Sequence, residues 1–350
     1  MSWHELELLA RGGTLALLAL WSWLLWRDSR SMLAARCAIA MNVAIACYVV
    51  VTAGWSERPT SNGLWFSLAA GSTPGLFWLF AKTWFEDRTR IAPRDLLLLA
   101  VAAVNMLVMQ LTFGSGSMVN VVSAVLFRVG MLGFAAAGLW HAWRGRAGDL
   151  IESRRRLRFW LIFAVGLYVV VIGIAEPAVY GGGAPHAIIS LIGSSMVFIT
   201  FGFCAAMFAA RQSDLFGASP KAIALPHTLL SDDPLAERLR QAMLQDKPHR
   251  DESLTIAGLA QRLGEQEYRL RRLINRTMGH RNFAQFLNSY RLAEVKGALA
   301  DSAQREVPIL TIALDAGFGS LGPFNRAFRE AEGITPSEYR FRARAYSGIG

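Results

Sequence analysis

Seven apolar runs of about bilayer length fill the first 210 residues of this chain, at 6–26, 32–53, 64–84, 95–113, 119–140, 159–180 and 187–209. A helix needs roughly 20 such residues to cross ~30 Å of hydrocarbon, so each run predicts a span. The first run is too long for a signal peptide. It carries Glu5 and Glu7 where a basic start belongs and has no A-x-A site before Arg27, so it reads as a retained span.

Composition follows the same division. The chain is 53% apolar and 18% charged, with a mean hydropathy of +0.31, but the excess is uneven. Residues 1–210 hold all 11 Trp, whereas residues 211–350 hold 20 of the 36 Lys and Arg and 16 of the 26 Asp and Glu. One lipid-soluble part is therefore joined to one water-soluble part, which excludes a disordered chain, a collagen and a disulfide scaffold. Cys37, Cys47 and Cys204 all lie in apolar runs, are odd in number and match no zinc or CxxC spacing, so they read as packing residues.

Basic residues alternate between the connections. Arg27, Arg30 and Arg36 mark the first, Lys82, Arg88, Arg90 and Arg94 the third, and Arg144, Arg146, Arg154, Arg155, Arg156 and Arg158 the fifth. The second offers only Arg58, the fourth none, and the sixth only His186. Basic flanks stay on the cytoplasmic side, which predicts an inner-membrane, multi-pass protein with its N-terminus outside and residue 210 onward inside. The cluster 144–158 reads as a topology anchor or anionic-lipid contact. Trp26, Trp55, Trp65, Trp84, Trp140 and Trp160 fall near span ends, as an interfacial belt requires. Gly71-Ser72-Thr73-Pro74-Gly75 predicts a kink in the third span.

Polar groups inside the spans are scarce. Asn105, Arg128 and Glu176 fall in three consecutive runs, and Arg128 lies ~13 Å from the outer end of its run at 1.5 Å rise per residue. Such groups either hold the bundle together or line a signal pocket for a ligand or membrane partner, and both readings stand on sequence alone. The last four spans have no Lys, which excludes a retinal Schiff base, and the six His show no metal-ligand spacing. GxSxG, P-loop and paired intramembrane carboxylates are missing, so no enzyme, metal or cofactor is expected. Gly317-Phe318-Gly319-Ser320-Leu321-Gly322 matches GxGxxG, but no strand precedes it and no βαβ unit surrounds it, so these glycines read as a turn.

Residues 211–234 are rich in Pro, Asp and Gly and read as a linker through which the bundle influences a domain at 235–350, with a helix predicted over 234–246. From Leu254 the pattern is amphipathic. Ile256, Leu259, Ala260 and Leu263 form one stripe behind a Thr255 N-cap, and Gly264 ends that helix. The next helix buries Leu270, Leu273 and Ile274 and presents Tyr268, Arg271, Arg272 and Asn275 on its opposite face. After a longer helix over 282–300 the unit recurs: Ile309, Ile312, Ala313 and Ala316 end at Gly317, and a helix with Phe324, Ala327, Phe328 and Ala331 inside presents Asn325, Arg326 and Arg329. A helix, a tight turn and a second helix with an arginine-bearing face is the helix-turn-helix arrangement, here doubled. The net charge of residues 211–350, 20 − 16 = +4, is modest for a DNA binder.

These residues carry a family likeness. Gly317-Phe318-Gly319-Ser320, Phe324, Arg326, Phe328-Arg329 and Gly333-Ile334-Thr335-Pro336-Ser337-Glu338-Tyr339-Arg340 resemble the signature of the AraC/XylS transcription regulators. Leu254-Thr255-Ile256, Leu259-Ala260, Leu263-Gly264 and Leu270-Arg271-Arg272-Leu273 are similar to the first unit of that family, so the likeness covers about residues 253–342. It implies sequence-specific binding of double-stranded promoter DNA, commonly as an activator working with RNA polymerase, and a homodimer fits such a role. By motif position the base-facing slots fall on Tyr268, Arg271 and Arg272, and on Leu321, Gly322, Pro323 and Arg326. Two departures stand out: Gln266 replaces a usual capping Ser, and Pro308 fills the equivalent slot before the second unit. The Leu-Gly-Pro run has no side-chain donor, which leaves Arg326 as the main contact of the second unit.

The sequence thus predicts an all-α protein: a seven-transmembrane helix bundle followed by a cytoplasmic double helix-turn-helix domain. DNA-contact candidates are Tyr268, Arg271, Arg272, Asn275, Ser320, Asn325, Arg326 and Arg329. A membrane receptor or transporter whose helix-turn-helix domain docks a protein is the competing class, and it predicts no operator footprint.

Overall fold

The computed structural model describes residues 3–51, 61–87, 90–113, 115–151, 154–155, 157–162, 164–165, 194–195, 197–202, 204 and 234–347. Among these the chain is helical, with one isolated antiparallel bridge and no strand. It divides into two compact units, Met1–Ala147 with Glu152–Ala218, and Gly148–Ile151 with Ser219–Gly350.

In the first unit, α1 (Trp3–Ser29), α2 (Leu33–Val51), α3 (Ser61–Gly71), α4 (Thr73–Phe85), α5 (Pro93–Leu111) and α6 (Met118–Arg144) follow the first five apolar runs. Five described helices, with α3 and α4 forming one over Leu64–Phe85, are long and apolar enough to cross a membrane. The sixth and seventh runs, Glu176 and linker 211–234 fall largely or wholly outside the described residues. The break between α3 and α4 lies at Ser72, two residues before Pro74, as the helix-breaking run requires.

Helix α4 is the axis of this unit. Its side chains from Phe77 to Phe85 are all buried, and Phe77, Phe80 and Trp84 pack with Trp21 and Leu25 of α1, Ala38 and Met41 of α2, and Ala142 of α6. Trp84 is therefore a core residue and leaves the interfacial belt, while Trp26, Trp65, Trp140 and Trp160 are exposed. Close approach of α6 to α4 depends on Gly138, where a Cβ would stand 2.5 Å from the Phe77 ring. By contrast α5 and α6 expose Leu96, Leu97, Val101, Val104, Val121, Val125 and Val129, an apolar face far beyond what a water-soluble surface carries.

Polar groups in this unit close helix ends. Arg11 pairs with Glu7 at 2.7 Å and donates to the carbonyl of Val49 in the last turn of α2. Arg154, fully buried, pairs with Asp87 and donates to Trp84 O, and Arg158 donates to Phe85 O and Ala142 O. Two arginines of the basic cluster are thus internal ties and not lipid contacts, because the α4 carbonyls have no intrahelical partner. Lys82, assigned by sequence to the third connection, instead forms a buried pair with Asp95 at 2.7 Å. Asn105 donates to Ser123 O and Asn120 to Met109 O, which sets the antiparallel register of α5 and α6. Arg128 is half-buried one and a half turns beyond Ser123 on α6.

The second unit contains α7 (Pro234–Gln245), a short 3-10 turn (Pro248–Arg250), α8 (Ile256–Arg262), α9 (Glu267–Arg272) running into a π turn (Leu273–Thr277), α10 (Phe283–Ala300), α11 (Ile309–Asp315), α12 (Leu321–Glu332) and α13 (Pro336–Ser347). It has two cores strung on one helix. Phe283, Phe286 and Leu287 of α10 pack with Leu235, Leu239, Leu259, Leu270 and Ile274, while its Leu292, Val295 and Leu299 pack with Ile312, Phe318, Phe324 and Phe328.

If the Lys82–Asp95 pair holds α4 to α5, Lys82→Ala or Asp95→Ala leaves a buried charge and costs about 3–5 kcal/mol. The double variant Lys82→Met/Asp95→Leu is expected to lose less than either single one. Thermal unfolding of the detergent-solubilised full chain checks this, and near-additive losses refute the pairing.

Candidate nucleic-acid interface

Each helix-turn-helix unit is assembled by local signals. Thr255 accepts a hydrogen bond from Gly258 N at 3.1 Å and starts α8. Gly264, at φ +64°, turns the chain into α9. Gln266 and Pro308 stand at the N-caps of α9 and α11 without a side-chain cap, the consequence expected from those two departures. A reciprocal Thr335–Glu338 capping box starts α13: Thr335 N donates to Glu338 Oε2 at 2.7 Å, and Glu338 N to Thr335 Oγ1 at 3.2 Å.

On α9 the buried stripe is Leu270, Leu273 and Ile274, as the periodicity predicts. Tyr268 and Arg272 are exposed on the other side, and so are Arg269 and Arg276, which the sequence reading missed although both lie on the same helical face rows. Arg269 is engaged by Glu265 at 3.0 Å, whereas Arg272 and Arg276 make no hydrogen bond or ion pair with described residues. Two predicted contacts are placed differently. Arg271 is 7% exposed, donating to Asp149 O at 2.6 Å and to Glu267 Oε1 at 2.7 Å. Asn275 is half-buried and donates to His280 O, closing the π turn. The i, i+3, i+4 pattern put Arg271 outward, but the chain segment that covers it lies more than a hundred residues upstream.

On α12 the pattern holds except at Ala331, which the spacing placed inside and which is exposed in the last turn. Phe324 and Phe328 are fully buried, and Arg326 and Arg329 are exposed, with Asn325 half-buried between them. Ser320 is exposed at the N-cap of α12, and its side chain makes no cap hydrogen bond to the helix. Leu321, Gly322 and Pro323 are exposed and offer no side-chain donor.

The two units are braced against each other at the 3-10 turn. Arg291 of α10 donates to His249 O at 2.6 Å and to Asp251 O at 3.0 Å. Glu294 accepts from Arg250 Nε at 3.0 Å and contacts His249 Nε2 at 2.8 Å. Gly317 of the second unit lies against this turn with φ +95°, where a Cβ would stand 2.7 Å from Arg250 Cα. Of the glycines in the GxGxxG match, Gly317 thus serves close backbone packing against the 3-10 turn, Gly319 lies against the Glu252 side chain, and Gly322 faces open space. Partial burial pushes the Glu294 carboxyl up, but hydrogen bonds from Arg250 and His249 and the charges of Arg250 and Lys247 outweigh it and hold it at about 2. His249 is pushed down by burial, which its bond to Glu294 only partly offsets.

Two helix-turn-helix units on a braced scaffold, each exposing arginines on its second helix, are the arrangement of a double helix-turn-helix DNA-binding domain. Comparison with known proteins agrees. The Helix-turn-helix domain family matches residues 259–342. Regulatory protein SoxS of Salmonella typhimurium is 34% identical over 94 residues, 27% of this chain and 84% of SoxS, and SoxS of Escherichia coli K12 matches equally. Transcriptional regulator Rob of Salmonella typhimurium is 31% identical over 112 residues, 32% of this chain and 37% of Rob. No solved structure matches. The chain is a DNA-binding transcription regulator and not an enzyme. Through its C-terminal domain it belongs to the AraC/XylS family, whose members bind double-stranded DNA.

Replacing a free arginine should weaken DNA binding without unfolding the domain. Arg272→Ala and Arg326→Ala are each expected to cost ~1–3 kcal/mol where the side chain reads a base. A phosphate contact would instead weaken all sequences alike and lower the salt slope by about one unit. Titration of the full chain against duplex DNA at several salt concentrations separates these outcomes, and unchanged binding in both variants overturns the assignment.

Glu294 makes the brace acid-sensitive. Its carboxyl is depressed from 4.5 to about 2, so the stability it contributes is complete above pH 4.5 and is lost as pH falls toward 2. Acid unfolding of the full chain followed by circular dichroism should steepen in that window, and Glu294→Gln should remove that part of the dependence.

Proposed function

We infer that this protein is a membrane-embedded one-component transcription regulator: a seven-span bundle with its N-terminus outside senses a signal, and a cytoplasmic AraC-type domain binds promoter DNA sequence-specifically. The observation that carries this reading is the union in one chain of long apolar helices with exposed apolar faces and a helix-turn-helix domain of regulator type. An exposed face such as that of α5 and α6 requires lipid or a partner of similar character.

The side assignment has support beyond the arginine alternation. Gly148–Ile151 packs within the DNA-binding unit, which supports placing the connection after α6 on the cytoplasmic side with that unit. Tyr268, Arg272, Arg326, Arg329 and Ser320, with Asn325 beside them, form the DNA face. Arg269 and Arg276 add basic groups to it, with RNA polymerase and a second copy of the chain as further partners. Asn105 takes a structural part through Ser123, and Arg128 and Glu176 remain the intramembrane charges through which a ligand would act.

Reporter fusions to the full bundle test the topology. Fusions at Gly116 and Gly182 should report the outer side, and fusions at Gly148 and Gly217 the cytoplasm, with DNA fragments recovered from membrane-bound chain sharing one sequence. A cytoplasmic signal at Gly116, or recovered DNA without a common sequence, overturns the reading.

A further inference from the structure

Four residues of the connection after α6 are built into the DNA-binding unit. Phe283 N donates to Gly148 O at 2.8 Å and Leu150 N to Arg281 O at 3.2 Å, forming an antiparallel bridge between Asp149 and Asn282. Leu150 is buried in the first core beside Leu235, Leu270 and Phe283. Asp149 is fully buried, its carboxylate accepting from Ile151 N at 3.1 Å and its carbonyl accepting from Arg271 Nη1 at 2.6 Å. The family match begins only at residue 259, so this segment is supplied from outside the family domain.

We propose that Gly148–Ile151 is a latch by which the membrane bundle controls the first reading helix, with Arg271 as its catch. While latched, Arg271 is spent on Asp149 O and Glu267 and is withheld from DNA. The chain on both sides of the segment, up to Ala147 and from Glu152, belongs to the bundle. Arg154, three residues beyond Ile151, is tied to Asp87 and Trp84 O. Any rearrangement that moves the end of α6 relative to Arg154 therefore pulls on a four-residue segment whose holds include two backbone hydrogen bonds, the Arg271 bond to Asp149 O and the buried Leu150. Release returns the Arg271 guanidinium to the face already carrying Tyr268 and Arg272. The route from bundle to DNA runs through this segment, in addition to the linker 211–234. The inference rests on the reading that this unit binds DNA, and one of its two tests does not.

Leu150→Pro in the full chain removes both the donor to Arg281 O and the buried side chain. With a random-sequence 30-base-pair duplex as probe, one freed arginine should give roughly tenfold tighter binding at 0.1 M salt and a salt slope steeper by about one unit. The gain should vanish in L150P/R271A. Unchanged affinity in L150P, or a gain that persists in L150P/R271A, overturns the proposal. Should L150P fail to fold, D149C/N282C in the full chain keeps it testable. Oxidation should cross-link the bridge pair, hold the weak DNA-binding form and prevent any stimulus or mild heating from strengthening binding, and reductant should restore it. Failure to cross-link refutes the latch whether or not DNA binds. Efficient cross-linking with no duplex binding in either redox state would refute the DNA-binding reading and leave the contact standing.

Discussion

Orphaned carbonyls at helix ends are the constraint on which this molecule depends. The last four carbonyls of every α-helix lack an intrahelical partner, and in apolar surroundings each unmet one costs several kcal/mol. In the bundle, Arg11 serves the end of α2, Arg154 and Arg158 the end of α4, and Arg158 also the end of α6. Arginine suits the task because its planar fork carries five donors and stays charged, so one side chain spans two helix ends. The cations also meet the negative ends of the helix dipoles. The apolar core around Phe80 and Trp84 is packed between ends closed in this way.

The same device recurs outside the bundle with a different purpose. Arg291 and Arg340 donate to backbone carbonyls of His249, Asp251 and Val307, which lie in turns and not in helix interiors. These bonds fix turns against helices and so hold the two reading units on α10. A single helix whose first half belongs to one core and second half to the other transmits orientation only if it is stiff and if its flanking turns cannot slide. The Glu294 network supplies that restraint.

Much of the candidate interface was legible because its signals are local. The Leu270, Leu273, Ile274 stripe, the Phe324 and Phe328 stripe, the Thr255 cap and the glycine turns are all set within one or two helical turns, and the structure places them as the spacing predicts. Arg272, Arg326 and Arg329 face outward for the same reason. Arg271 and Asn275 did not follow, because whether a polar side chain on a helix flank meets water or a carbonyl depends on what chain arrives beside it. For Asn275 that is a π turn, which shifts the helical register by one residue and brings His280 O within reach.

The sequence by itself determined that the first five apolar runs are long helices, and that residues 253–342 form a doubled helix-turn-helix. Periodicity and composition carry that information without reference to the rest of the chain. Only the tertiary structure decided the fate of individual charges. Lys82, Arg154 and Arg158 look like a basic loop in the sequence, yet each is buried on a partner supplied by another segment. Gly148–Ile151 likewise looks like bundle and packs with the DNA-binding unit. A residue's type limits what it can bond to. Which carbonyl or carboxylate comes within 3 Å is settled by chain segments tens of residues away, and no local pattern records that.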